Sequence, residues 1–507
     1  MTTTINIKAP VRKKPKKISH LAYPETFGED DQYAKYIWRT LGINVRIRAE
    51  RIYAAKRSYK AFCLLYFPHY FYLKPAKFHG ELIKALTDED EEMIAIIGFR
   101  GSSKSTHASM AYPAWQAIRA KHHFIILIND TGKQRDINIQ NIKTEFEENL
   151  LLRSDFPLVK PSKKKWTAGE MEFTNDVYIL GRSRGQKVRG LRYRQWRPSL
   201  VVGDDLEDLE WVRSKENRDK TERWLKSEVI PAVEETKAKM IIIGNLLHTD
   251  ALMSRLKKHK LMTVLEFPLI DPITKEITWK GKYPNMDAIR KQKDKIEKTS
   301  VWLREYLLKI VPEEGAVVDE NDIHYYDFKE LSDHIYSHAK NGGVGGDLAI
   351  SEKDTADYTG LISGIVVKEE GRDVIYILPT MIHERLDLYK TIRGCQTIKD
   401  TMPNGTKFFI EDVAYQKAAI KEMKRKGIPA IGIRPITDKR ARFETVAIHI
   451  KSGLVKFADK GLEDLIVEML GYGVEDHDDL LDALVYLLLG LTGKKQGSVG
   501  IGKGDAL

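Results

Sequence analysis

The 507-residue sequence predicts an α/β chain of two domains, a parallel-rich sheet followed by a mixed one. Three observations predict it. The chain is longer than the ~250–300 residues at which a single hydrophobic core stops growing. Between residues 93 and 245, the short apolar runs "MIAIIGF", "HFIILIND", "VYILG", "SLVVGDD" and "KMIIIGN" alternate with helix-forming segments. That is the pattern of a parallel sheet covered on both faces. After residue 315 the rhythm changes to "GGVGGDLAIS", "TGLISGIVVKEE" and "RDVIYILPT", three strand candidates with short turns, an antiparallel meander.

In chain order, residues 1–44 read as a basic flexible arm and lead-in. The basic residues of "MTTTINIKAPVRKKPKKI" are followed by no apolar core, so the segment is not a secretory signal. Residues 45–268 form the first domain; it opens with one helical stretch, "VRIRAERIYAAKRSYKAFCLLYF". Residues 269–315 read as a connector that includes the helix "TSVWLREYLLKI". The second domain spans 316–492: the meander, a helix ("RLDLYKTIRGCQTI"), a fourth strand ("KFFIEDVA"), a helix ("KAAIKEMKRKG") and an apolar last helix ("LLDALVYLLLGL"). Residues 493–507 are a Gly/Lys-rich flexible tail.

With 42% hydrophobic and 31% charged residues the composition is that of a globular protein. No apolar run approaches the ~18 residues of a membrane-spanning helix. Cys63 and Cys395 are the only cysteines, too few for a disulfide framework or a zinc site. A net charge of +11 favours a polyanionic partner such as nucleic acid.

The stretch "GFRGSSKST" follows an apolar strand and precedes a helix. It has the form G-x-x-x-x-G-K-[ST], except that Ser103 stands where the last glycine belongs. Gly98, Gly101, Ser102 and Ser103 would form a cradle for phosphates. Lys104 would reach the β- and γ-phosphates, and Ser105 would hold Mg²⁺. The helix starting at about Ser105, with Thr106 in its first turn, would aim its positive end at the phosphates. A second strand ends in Asp204 and Asp205; the first acid would serve Mg²⁺ and the second would polarise the attacking water. Asn245, ending a further strand, would sense the γ-phosphate. Together these predict a P-loop (ASCE-type) ATPase domain with ATP as substrate. Between loop and acids, Arg182, Arg184, Arg189, Arg192, Arg194 and Arg197 crowd into 16 residues with Lys187. So dense a cluster would contact DNA backbone or supply an arginine finger to a neighbouring subunit.

In the second domain, carboxylates fall at Asp347 on the first meander strand, at Glu411 and Asp412 at the end of the fourth strand, and at Asp478, Asp479 and Asp482 around the start of the last helix. A three-strand meander, a helix and a fourth strand is the order of a ribonuclease H-like core, in which the first and fourth strands are neighbours. Asp479 and Asp482, three apart, share a helix face. Such acids repel unless divalent cations bridge them, and a pair of Mg²⁺ ions would activate water and stabilise the leaving oxygen of a phosphodiester.

The series "GFRGSSKST", "LVVGDDLED", "IIIGN", "GGDLAIS", "FFIEDVAYQ", "TDKRARFE" and "HDDLLDAL", spread over roughly residues 60–490, resembles the large terminase subunit of tailed bacteriophages. The resemblance implies an ATPase that pumps double-stranded DNA into a procapsid and a ribonuclease H-like nuclease that cuts the concatemer. By motif, Lys104, Ser105 and Arg100 would bind phosphates, and Asp204 would serve Mg²⁺. Asp205 or Glu207 would be the second acid, and one of Arg189, Arg192 and Arg194 the trans-acting finger. Asp347, Glu411 and Asp479 would form the nuclease triad, with Mg²⁺ or Mn²⁺ held also by Asp478 or Asp482. Lys439, Arg440 and Arg442 would be a basic segment near it. It further implies a ring of five subunits, a portal protein and a small terminase subunit as partners, and a place in the host cytoplasm, transiently on the procapsid. The alternative is a P-loop helicase or translocase without nuclease activity, which would need a second ATPase-like domain after residue 270.

Overall fold

The computed structural model describes residues 32–234, 238–311, 316–349, 358–413, 416–473 and 478–493, with the side chains of 32–35 and 163–164 left aside. Residues 1–31 of the arm, 494–507 of the tail and His477 of "HDDLLDAL" lie outside the described residues, while the lead-in, expected as part of a flexible segment, holds the helix Gln32–Leu41. The chain divides into two compact units. The first is built from residues up to 297 together with 304–308, the second from 298–303 together with 309 onward. Residues 269–297 thus pack with the first unit, and the helix Thr299–Tyr306 contributes to both.

The first unit holds an eight-stranded sheet: β1 (Met93–Gly98), β2 (Phe124–Asn129), β3 (Pro161–Thr167), β4 (Glu170–Phe173), β5 (Tyr178–Ser183), β6 (Leu200–Asp204), β7 (Lys239–Gly244) and β8 (Thr263–Phe267). Its order is β3-β4-β5-β2-β6-β7-β1-β8. From β5 to β8 all pairings are parallel, and the two at the β3 edge are antiparallel. The central strands read as continuous apolar runs because both faces are covered: Ile94–Ile97 and Ile241–Ile243 have no exposed surface. Parallel pairing puts the C-terminal ends of β1, β6 and β7 on one edge, where open α/β sheets bind ligands. Strand β7 lies between the phosphate-loop strand β1 and the acid strand β6.

The expected helical stretch over 45–67 is two helices, Arg48–Arg57 and Tyr59–Tyr66. Ser58 breaks it: its hydroxyl accepts from the Ala61 N–H at 3.1 Å and caps the second helix. Cys63 and Cys395 are buried free thiols. Among the described residues no helix is long and apolar enough to cross a membrane.

The second unit holds a seven-stranded mixed sheet: β9 (His324–Tyr326), β10 (Ala339–Asp347), β11 (Thr359–Glu369), β12 (Arg372–Glu384), β13 (Lys407–Glu411), β14 (Ala430–Ile433) and β15 (Val455–Ala458). The order is β14-β13-β10-β11-β12-β15-β9. Strands β10, β11 and β12 form the antiparallel meander. The fourth strand expected from the sequence, β13, lies parallel beside β10, pairing Gly346 with Ile410. That register sets Asp347 next to Glu411.

The last helix, Asp479–Thr492, lies across β10 and β11. Gly343, Gly345 and Asp347 alternate onto one face of β10. A β-carbon at Gly345 would overlap the Ala483 carbonyl, and one at Gly343 would press on Leu487 and Leu491. The "GGVGGD" pattern therefore removes side chains where helix and sheet meet, and restores one, Asp347, where the helix begins. We expect Gly345→Ala to cost about 3 kcal/mol, because the obstacle is helix backbone that cannot step aside. Urea unfolding of the second unit checks this.

Candidate active sites

At the end of β1 the chain turns through residues 99–103. The Phe99 N–H donates to the Phe267 carbonyl of β8, and the Ser102 N–H donates back to Phe99, both at 3.0 Å. A β-carbon at Gly98 would press on the Ser102 hydroxyl. Gly101 and Ser103 both take left-handed backbone, φ 78° and 68°. Ser103 therefore follows the path that the missing glycine would take, at a steric cost of ~1–2 kcal/mol that glycine would not incur. Thr106 opens a π-helical turn, Thr106–Ala111, before the α-helix Tyr112–Arg119; such turns cluster at functional sites.

The Lys104 ammonium, almost wholly buried, donates to the Gly98 carbonyl at 3.2 Å and to Asn245 Oδ1 at 3.0 Å. Ser105 donates to Asp204 Oδ1 at 3.1 Å, and Ser109, one helical turn on, donates to Asp204 Oδ2 at 2.7 Å. Asn129, ending β2, donates to the Asp204 carbonyl at 3.2 Å. Burial and then the neighbouring Asp205 push the Asp204 carboxyl up to about 7. Asp205 is raised too, chiefly by burial, and sits at φ 46°. It lines a small cleft with Gly244 and Asn245. Glu207 is used otherwise: its Oε2 accepts from the Leu252 N–H at 2.7 Å, at the start of the helix Leu252–Lys257. Arg100 and Asn245 converge on one oxygen, Glu305 Oε2, at 3.2 and 2.8 Å. The structure thus brings Gly98–Thr106, Asp204, Asp205 and Asn245 together at one sheet edge. It adds Ser109, Asn129 and Glu305, which sequence reasoning missed. Only Ser109 carried a signal, four residues after Ser105 on the same helix face.

The arginine-rich stretch does not act as one cluster. Arg184 is held by Asp130, by the Leu206 carbonyl at 2.8 Å and by the Trp211 ring at 3.7 Å. Arg194 pairs with Asp176 at 2.5 Å and lies 3.7 Å from Glu172. Arg182 bonds backbone carbonyls of Gly181 and Lys187. Arg189 and Arg192 are exposed, with no ion pair among the described residues. None of Arg189, Arg192 and Arg194 bonds the phosphate loop of its own chain among the described residues.

In the second unit Asp347 sits at the end of β10, where Gln416 Nε2 donates to its Oδ1 at 3.1 Å. Burial, followed by the charges of Asp482, Glu411 and Asp479, pushes its carboxyl up to about 7. Glu411 accepts from the Tyr486 hydroxyl at 2.5 Å. Asp479 and Asp482 are buried at the start of the last helix. Lys439 spans Asp478, at 3.0 Å, and Asp482, at 2.7 Å; Arg442 stands 4.0 Å from Asp482. Asp478 and Asp482 are thus both tied to Lys439, while the charges of Asp482, Glu411 and Asp479 bear on Asp347. Two further residues were missed in the sequence. Glu468 caps the last helix, accepting from Leu480 and Leu481 N–H at 2.8 and 3.0 Å; burial pushes it up to about 8. His383 Nε2 lies 3.6 Å from Glu468 and 3.8 Å from Asp479. Glu468 lies in the apolar helix Glu463–Leu470 and His383 near the end of a strand, contexts that read as core and surface. The donors are all carboxylate oxygens, which suits Mg²⁺ or Mn²⁺ rather than zinc. Among the described residues no three His, Cys, Asp or Glu side chains are placed to hold one ion.

No family model matches the sequence, and no curated protein matches it. The structural neighbours are large terminases. That of a thermophilic bacteriophage is 14% identical, with 82% of this chain and 99% of that one covered at a TM-score of 0.32. The HK97 bacteriophage large terminase is 12% identical over 82% and 95% of the two chains, TM-score 0.34. The large terminase nuclease of the thermophilic phage G20c, with bound magnesium, is 11% identical over 35% and 98%, TM-score 0.25. At these scores the likeness carries no weight for individual residues, whose roles rest on the geometry above.

Two outcomes follow from the strained and crowded groups. Ser103→Gly relieves a left-handed L-residue and should raise stability by up to about 1 kcal/mol while the loop keeps its function; thermal unfolding and ATP turnover check it. Asp347 holds its proton up to about pH 7 in the folded protein, whereas an unfolded aspartate loses it near ~3.9. The folded state therefore binds more protons between those values, and stability falls as pH rises through that window. In EDTA, Asp347→Asn should be more stable than wild type at pH ~8, by roughly 1–3 kcal/mol, with the gap closing toward pH ~4. An equal gap at both values would count against the crowding.

Proposed function

We propose that the chain is the large subunit of a viral DNA-packaging motor, hydrolysing ATP to translocate double-stranded DNA and cutting that DNA at a separate two-metal site. The observation that carries the ATPase half is the set of bonds at the sheet edge: a buried Lys104 beside Asn245, and Ser105 bonded to Asp204. Strand, loop and helix present backbone N–H groups and a lysine to a polyphosphate. Lys104 stabilises charge on the transferring phosphoryl group. Ser105 and Asp204 would hold Mg²⁺, which when bound neutralises phosphate oxygens. Asp205, facing the cleft with Asn245, orients the attacking water. Glu207, used in holding the Leu252 N–H, is the weaker candidate. Arg189 and Arg192, exposed and unpaired among the described residues, are better placed than Arg194 to reach a neighbouring subunit's nucleotide.

For the nuclease half, Asp347, Glu411 and Asp479, with Asp482 or Asp478, would hold two Mg²⁺ or Mn²⁺ ions. As they stand no three of them are placed to hold one ion, so binding would draw these carboxylates together, and the ions would supply a nucleophilic water and stabilise the leaving oxygen. The antiparallel meander and the mutual repulsion of its acids support this over a helicase, which would carry a second ATPase-like sheet there. The motif series supports the wider setting: a ring of five subunits on a portal protein, a small terminase subunit as partner, and residence in the host cytoplasm and transiently on the procapsid.

The two halves are separable by mutation. Lys104→Ala should lose ATP hydrolysis, by ~10²-fold or more, with plasmid cleavage retained. Asp347→Ala should lose Mg²⁺- or Mn²⁺-dependent plasmid cleavage while hydrolysing ATP. Arg189→Ala or Arg192→Ala should bind nucleotide yet turn over ~10³-fold slower in assembled motors, and mixing with Lys104→Ala protein should restore part of the rate. Wild-type cleavage by Asp347→Ala would end the nuclease assignment.

A further inference from the structure

Lys282 belongs to none of the motifs above, yet it touches the phosphate loop. It sits in a turn in which the Lys282 and Tyr283 N–H groups both donate to the Trp279 carbonyl, at 3.1 and 2.9 Å. The turn is anchored. The Trp279 indole N–H donates to the Lys74 carbonyl at 2.8 Å, and its ring meets His79 edge-on with centroids 4.6 Å apart. Trp279 and Tyr283 are buried. The Lys282 ammonium lies 5.5 and 5.8 Å from their ring centres and donates to the Gly101 carbonyl at 2.6 Å. A β-carbon at Gly101 would collide with that ammonium.

Burial lowers the pKa of Lys282, and among the described residues no carboxylate forms an ion pair with it. A partly desolvated ammonium whose one hydrogen-bond partner is a neutral carbonyl has donors to spare and no counter-charge, which is costly unless an anion arrives. We propose that Lys282 is a second phosphate-contacting lysine, approaching the loop at Gly101 and binding an oxygen of the nucleotide's phosphate chain. The assignment rests on the phosphate-loop reading. Because Trp279 and Tyr283 fix the turn, the ammonium is held in place before nucleotide enters, so little ordering is needed on binding.

The test is equilibrium binding of ATPγS to the full chain in Mg²⁺, with wild type, Lys282→Met, Lys282→Arg and Lys104→Ala. Losing a charge-assisted contact should weaken ATPγS binding by Lys282→Met about 10- to 100-fold. Lys282→Arg, which keeps the charge and can still donate to a phosphate oxygen, should lose clearly less than Lys282→Met. The nucleotide-free melting temperature of Lys282→Met should match wild type, since the lost bond is to an exposed loop carbonyl. If Lys282→Met binds as tightly as wild type, or if Lys282→Arg falls as far as Lys282→Met, Lys282 does not contact phosphate. If wild type fails to bind ATPγS, or Lys104→Ala binds and hydrolyses ATP as wild type does, the phosphate-loop reading itself fails and takes this assignment with it.

Discussion

The first unit depends on the way Asp204 is gripped. Its two carboxylate oxygens accept from Ser105 and Ser109, and its carbonyl accepts from Asn129. Strand β6 and the helix after β1 are not neighbours in the sheet, since β7 lies between them. The two serines therefore fasten the acid to the loop across an intervening strand. Fastened there, a strand-end aspartate that would ordinarily be solvated is buried; burial and the neighbouring Asp205 push its carboxyl up to about 7, against the two serine hydrogen bonds, which pull it down. A cation seated at Ser105 would reverse that preference, since a nearby positive charge favours the ionised form.

The second unit solves the opposite problem. There, acids must be crowded without a built-in counter-charge for each. Small residues on β10 and β11 let the last helix settle onto the sheet, and the same approach drives Asp479 and Asp482 toward Asp347. Lys439 answers Asp482 and Asp478, and Gln416 answers Asp347. Glu411 has, among the described residues, a neutral donor, Tyr486. Even a fully paired buried set is often no more stable than apolar residues of like volume, and this set is not fully paired, so the arrangement is one that stability alone would not select.

Much of this was legible in the sequence because it lay in local pattern. Continuous apolar runs gave β1, β2, β5, β6 and β7, and "GGVGGD" gave β10 with its aspartate. What stayed hidden was short, polar or remote. Strands β3 and β4 carry lysines and glutamates at a sheet edge, and β9, β14 and β15 are three or four residues long. Residues 45–67 kept helical spacing through Ser58, so the break was visible only as a serine that also suits a cap. Glu305, Glu468 and Lys282 reach their sites through tertiary packing, at sequence distances that no periodicity encodes. The partners within the arginine-rich stretch were hidden for a related reason: Arg184 and Arg194 pair with Asp130 and Asp176, which precede the stretch and are supplied by folding.

The lysine-bearing strand β3 has a consequence for life in a crowded assembly. Sheet margins offer unpaired backbone groups that can template pairing with another copy. Here the outermost strand begins at Pro161, which has no N–H to give, and its sequence continues through Lys163, Lys164 and Lys165. It joins β4 in antiparallel fashion with a register shift between Pro161 and Trp166. An absent donor and an irregular ladder make this margin a poor template. Copies that meet by chance are then less able to fuse into a continuous, aggregating sheet.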